Sequence, residues 1–222
     1  MAVQATQAAQ AGDFADTLAA LVQAEGTAGH AHAGSDALTH GPEAARNVAD
    51  VIHHLCLLHG RHPGILEYAA IRSTGPLQDL LIEASDAFGI ERALLTRLVV
   101  AVGPLPSTPG QADAESAVLA QHHAIDMLGR SDRNGCAMGA AIALLLDWNA
   151  LRPIIDEAAR RLSVEAPRSM LPGDARILDA VRATAPSVPV ERAMMFGAQQ
   201  IVAQHRGLWA LLEARAAARS DY

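Results

Sequence analysis

Between its glycine and proline breaks this chain repeats one pattern: apolar residues three or four positions apart, the spacing that lines one side of an α-helix. Leu18, Leu21 and Val22 follow it, as do Val48, Val51, Ile52, Leu55 and Leu58, and later Ile201, Leu208 and Leu212. Stretches of two-residue alternation, the mark of a half-buried strand, are missing. The expected fold is therefore all-α: a helical bundle of seven or eight helices in one domain, 1–222. Four longer core helices are expected near 42–60, 111–129, 132–162 and 190–215, with shorter helices capping the ends of the bundle.

The punctuation between helices refines this. Residues 1–12 read as a frayed Ala/Gln-rich lead-in, 26–41 as a flexible His/Gly connector, and 103–110 and 164–189 as proline-rich linkers, the latter holding one short helix. Gly89 divides 75–102 into two segments. Ser131-Asp132 offers an N-cap for the helix that follows, and Pro153 should kink or restart that helix by removing its hydrogen bond to Asn149. Within it, Gly135, Gly139 and Ala143 form a row of small residues spaced by four, a surface on which another helix backbone could lie close.

Composition excludes several functions. All 17 basic residues are Arg and none is Lys, so Schiff-base and pyridoxal-phosphate chemistry lack their amine, and a P-loop lacks its GK[ST] ending. This Arg-only, Ala-rich usage is associated with bacterial proteins. Net charge is −7 and no basic cluster exceeds Arg160-Arg161, so no nucleic-acid partner is expected. No membrane partner is expected either: the long apolar run, Ala137 to Leu146, is short of the roughly 20 residues that span a bilayer. The start Met1-Ala2-Val3-Gln4 lacks signal-peptide character, and the expected location is the cytoplasm. Cys56 and Cys136, with no CxxC, read as small buried hydrophobes.

Polar residues set into apolar stripes mark the candidate site. His59, His122 and His205 each fall in phase with the stripe of a different helix, and Asp147 ends the apolar run on a fourth. Three neutral imidazoles from three helices can share a divalent metal, with Asp147 or Glu115 as a hard fourth ligand. Glu115 lies two turns before His122 on the same helix face. The competing reading is that each His is a core residue satisfied locally, and that Asp147 either pairs with Arg152 or His122 or emerges into water. His30-Ala31-His32 could chelate a divalent metal through adjacent imidazoles, but the stretch with His40 reads first as a flexible polar connector, since nothing fixes ring orientation. No Ser sits in a G-x-S-x-G elbow.

Asp50-Val51-Ile52-His53 places acid and imidazole one turn apart, which resembles half of the Glu-x-x-His signature of ferritin-like dinuclear bundles. A second such pair is absent, and Asp50 and His53 read as a solvated face. The layout of helices also resembles ferritin-like or haem-oxygenase-like bundles; that resemblance implies helix number and length and carries no function. Two functional expectations follow: an interior His/Asp-lined site for a metal or small molecule, with oxidoreductase chemistry within its scope, or a structural or regulatory interaction bundle without catalysis, with room for a homodimer.

Overall fold

In a computed structural model, the backbone of residues 2–220 and the side chains of residues 14–219 are described. Eight α-helices and no strand occur among them: α1 Ala2–Glu25, α2 Ala44–His59, α3 Ile65–Arg72, α4 Gly75–Val102, α5 Gln111–Arg130, α6 Cys136–Arg161, α7 Asp174–Thr184 and α8 Val188–Ser220. The lead-in expected to fray over 1–12 instead continues α1, whose backbone is helical from Ala2; its side chains lie outside the described residues.

Helix α6 is the hub. Every residue from Gly135 to Trp148 is buried, so no polar face is left to solvent and the helix must be surrounded. Neighbours from α1, α3, α4, α5, α7 and α8 do surround it. By length and composition α6 could cross a membrane, with a mean hydropathy of 1.3 over its most apolar window, but 78% of that window is buried inside this fold. Its apolar surface is thus consumed by the core, where each fully buried Leu or Ile contributes roughly 1.5–3 kcal/mol.

The most extensive packing joins α6 to α8, and small residues make it possible. A Cβ added at Gly139 would stand 1.9 Å from the Met194 carbonyl oxygen, and one at Gly197 would stand 2.0 Å from that of Cys136. The two backbones therefore touch, each through the other's glycine. The row of small residues on α6 faces another helix as its spacing implies; Gly197, which completes the contact from α8, gave no such signal.

Four local expectations are corrected. Gly89 does not break α4, which runs 28 residues without interruption; the glycine is exposed, and its propensity cost of about 1 kcal/mol is outweighed by buried Ala84, Phe88, Leu94 and Leu95 on either side. Pro153 lies inside α6, so of the kink or restart expected there the restart does not occur. Ser131 does not cap α6: its backbone N–H bonds Leu128 O to finish α5, and α6 starts after Gly135. The 26–41 connector is not a loose tether. Three 3-10 turns, Thr27–Gly29, Ala31–Gly34 and Asp36–Leu38, fold it onto the bundle and bury Thr27, His32 and Leu38.

Candidate functional site

Two of the three stripe histidines meet. His59, in the last turn of α2, and His205, midway along α8, face each other with their Nε2 atoms 2.8 Å apart. On the far side of its ring, His205 Nδ1–H donates to Asp147 Oδ2 on α6 in a short hydrogen bond. Asp147 and His205 are 1% exposed and His59 is 6% exposed. The three form a linear chain, Asp147–His205–His59, through the middle of the bundle.

The carboxylate of Asp147 is held from the opposite side by Thr27. The Thr27 backbone N–H donates to Oδ1 at 2.7 Å and its hydroxyl donates to Oδ2 at 2.7 Å. Trp209 Nε1–H, one turn beyond His205 on α8, donates to that same hydroxyl at 3.0 Å. The connector reaches this depth because residue 26 is glycine: a Cβ there would lie 2.3 Å from Asp147 Oδ1. Burial by itself would raise the Asp147 pKa, but hydrogen bonds and charge from His205, with two more hydrogen bonds from Thr27, outweigh it and hold the group below its ordinary value. Asp147 is therefore a carboxylate, which lets His205 Nδ1 remain its donor.

His59 is driven the other way. Burial chiefly, then the nearby His205, Arg92 and His122, push its pKa well below 6.5. A neutral imidazole has one N–H and one lone pair, so a single proton lies between the two Nε2 atoms. Its ring packs edge-on against Trp148, with centroids 5.6 Å apart, and against Phe88 at 6.4 Å, which fixes the ring plane.

His122 does not join the pair. Its Nδ1–H donates to Leu58 O at 2.9 Å, while Arg92 Nε donates to His59 O at 3.3 Å. Both cap free carbonyls at the C-terminus of α2, where donors and positive charge are favoured. Arg92 is fixed in turn by Glu67, which also accepts the Gly64 N–H at 2.7 Å. Burial opposes ionisation of Glu67, but the Arg92 and backbone hydrogen bonds take its pKa to about 2. His59, His122, Phe88 and Arg92 line a small cavity of about 20 Å³, room for about one water molecule.

Glu115 lies elsewhere. It accepts a hydrogen bond from Gln111 at 3.0 Å and lines a larger cleft of about 460 Å³ between α2, α4, α5 and the 103–110 linker. Arg61 borders both that cleft and the His59 cavity. Among the described residues no group of three or more His, Cys, Asp or Glu is placed to hold one metal ion. In the connector, His30 Nδ1 accepts the His32 backbone N–H at 3.3 Å and both rings pack against Trp209, while exposed His40 bonds Thr39.

Arg152 does not serve Asp147. It pairs with Glu91, which also accepts Trp148 Nε1–H at 3.2 Å. The solvated-face reading of Asp50 is overturned: Asp50 is 1% exposed and receives both Arg215 Nε and Nη2 at 2.9 Å, with Arg219 Nη1 at 2.6 Å. The reason is that α8 packs across that face of α2 and brings two arginines, one turn apart, onto the acid. His53, half-buried beside it, hydrogen-bonds Gly103 O at 2.8 Å and ties the linker down.

The sequence signals were uneven. Helical phase picked out His59, His122 and His205, and the end of an apolar run picked out Asp147, but Thr27 had no signal, since it sits in a stretch without periodicity. Arg215 and Arg219 do carry one, an i, i+4 pair at the apolar end of α8.

No curated protein and no solved structure matches this chain significantly. The model of DUF6975, a family of unknown function, matches residues 22–220, and the chain belongs to that family.

Proposed function

We propose that this protein binds a small molecule in the groove between α2 and α5, and that the Asp147–His205–His59 chain serves that molecule as a general acid–base relay. The observation that carries this reading is the Nε2–Nε2 hydrogen bond with a carboxylate on the remote nitrogen. A carboxylate behind an imidazole fixes its tautomer and stabilises the imidazolium, the logic of hydrolytic triads. Here the outer member is a second imidazole. A proton accepted at His59 Nδ1 is matched by transfer of its Nε2–H to His205 Nε2, so the charge comes to rest on His205, beside Asp147. Burial makes His59 a poor site for that charge, while the Asp147 carboxylate lies against His205 Nδ1, a geometry that favours passing the proton inward. His122 and Arg92 line, with His59, the small cavity that adjoins this groove at Arg61.

One observation favours a second reading. Every oxygen of Asp147 is satisfied from within the protein, by Thr27 and His205, as in a lock that fastens the 26–41 connector, α6 and α8 together. Histidine side-chain NMR separates the two. Under the relay reading, members of a fragment library perturb the His59 and His122 rings, and Asp147→Asn alters the protonation profile of His59. If the fold is intact and neither happens, the lock reading replaces it. Stoichiometric Zn²⁺ acting on both His59 and His205 would instead favour a metal at the pair.

A further inference from the structure

The 460 Å³ cleft beside this relay is of ligand-site size, and its polar groups are distributed unevenly. Its walls are apolar: Leu57 from α2, Val99 from α4, Leu105 from the linker and Leu119 from α5. The first three are partly exposed and Leu119 is 43% exposed, so apolar surface remains there that this chain does not cover. Glu115, whose Oε1 accepts from Gln111, has no ion pair among the described residues and lines the cleft. His54, 1% exposed, lines it too.

His54 Nδ1–H donates to Asp50 O at 2.7 Å, which leaves Nε2 with a lone pair only. That atom is buried and has no hydrogen-bond partner among the described residues. Burial foremost, with Arg215 and His53 adding to it against the opposing influence of Asp50, keeps the ring below its usual pKa, so Nε2 remains an acceptor. His54 and Glu115 therefore both present acceptors to the cleft lining, and one is an anion. An unsatisfied buried acceptor costs roughly 1–3 kcal/mol, which a ligand N–H would recover. The one arginine of the cleft, exposed Arg61, also lines the His59 cavity. About two turns of α2, roughly 9 Å at 1.5 Å per residue, separate His53 from His59.

From this polarity we infer that the cleft takes a protonated primary amine carried on an apolar chain, its ammonium against Glu115 and its chain along Leu57 and Leu119. The inference rests on the reading of the α2–α5 groove as a small-molecule site. The net charge of −7 favours cations at long range as well. A carboxylate in the same place would face Glu115 and the His54 lone pair, two acceptors with no donor.

Calorimetric titration with octylamine, octanol and octanoate at fixed ionic strength tests it. Octylamine binds most tightly, octanol at least tenfold more weakly, and octanoate weakest. Glu115→Gln, which can still pair with Gln111, lowers octylamine affinity at least tenfold and leaves octanol binding and the melting midpoint unchanged. Equal or tighter binding of octanoate, or an unaltered octylamine affinity in the Glu115→Gln protein, overturns the amine assignment while leaving the groove as a binding site. If none of the three probes binds, the groove reading falls with it.

Discussion

Replacing Gly139 with alanine and Gly89 with alanine adds the same methyl group to two helices, and the structure assigns them opposite signs. Gly89 is exposed in the middle of α4 with nothing within 4 Å of an added Cβ, so Gly89→Ala gains only helix propensity and lower unfolded-state entropy, about 0.4–1 kcal/mol. Gly139→Ala gains the same local term, but its Cβ would lie 1.9 Å from a backbone oxygen of α8. Ordinary contact begins near 3.4 Å, so the helices must part by about 1.5 Å at their crossing. That opens the contact around Ala140, Ala143, Met194 and Ala198, all 0% exposed. Overpacking of this kind costs about 1–3 kcal/mol, occasionally more. Because the obstructing atom is main chain, the upper part of that range applies. Net of propensity, Gly139→Ala should destabilise by about 2 kcal/mol, lowering the melting midpoint by about 4–8 °C at this chain length, while Gly89→Ala raises it by about 1–4 °C. Urea denaturation followed by far-ultraviolet circular dichroism measures both. An unchanged or raised midpoint for Gly139→Ala would refute the backbone contact between α6 and α8.

Thr27→Val keeps the shape of the side chain but removes the acceptor of Trp209 and one donor to Asp147; a loss of about 1–3 kcal/mol is expected, and a loss below 0.5 kcal/mol in urea titration would show that the connector is not fastened there. Acidification should destabilise in two stages. His32, His54 and His59 have pKa values below 6.5 chiefly through burial, so the unfolded chain takes up protons that the folded one refuses, and stability present above about pH 6.5 declines below it. Glu67, at about 2 when folded against 4.5, adds a second decline as pH falls from 4.5 toward 2; urea midpoints that stay flat from about pH 6.5 to 4.5 would contradict the first decline, and midpoints flat from 4.5 to 2 the second. Asp50→Ala leaves two buried guanidinium groups without their carboxylate and should cost about 3–5 kcal/mol, whereas a near-neutral result would place α8 elsewhere. No duplex DNA should bind at physiological salt given the charge of −7, and retardation that survives 0.2 M salt would count against this.

Local chemistry by itself determined a great deal here. A period of three to four residues depends only on helix geometry, so the all-α class and the close-packing row at Gly139 could be read directly. The expected set of four longest helices, by contrast, missed α1 and α4, which at 24 and 28 residues are longer than the 16-residue α2. The same phase found His59 and His205, because a polar residue in an apolar stripe must be buried wherever the stripe is buried; Asp147 stood out only as the end of an apolar run. What the sequence could not carry is which stripes face one another. Pairing of His59 with His205, separated by 146 positions, depends on α2 and α8 meeting at a particular height, and the same geometry left His122 to cap Leu58 and Glu115 to line a different cleft. Asp50 reads as solvated until α8 covers it with Arg215 and Arg219. Thr27 is the clearest case: an aperiodic residue beside a glycine has no preferred partner, and only the depth to which the chain descends at Gly26 brings it against Asp147. Periodicity is a property of one helix; convergence is a property of several, and it arises when their buried faces are packed together.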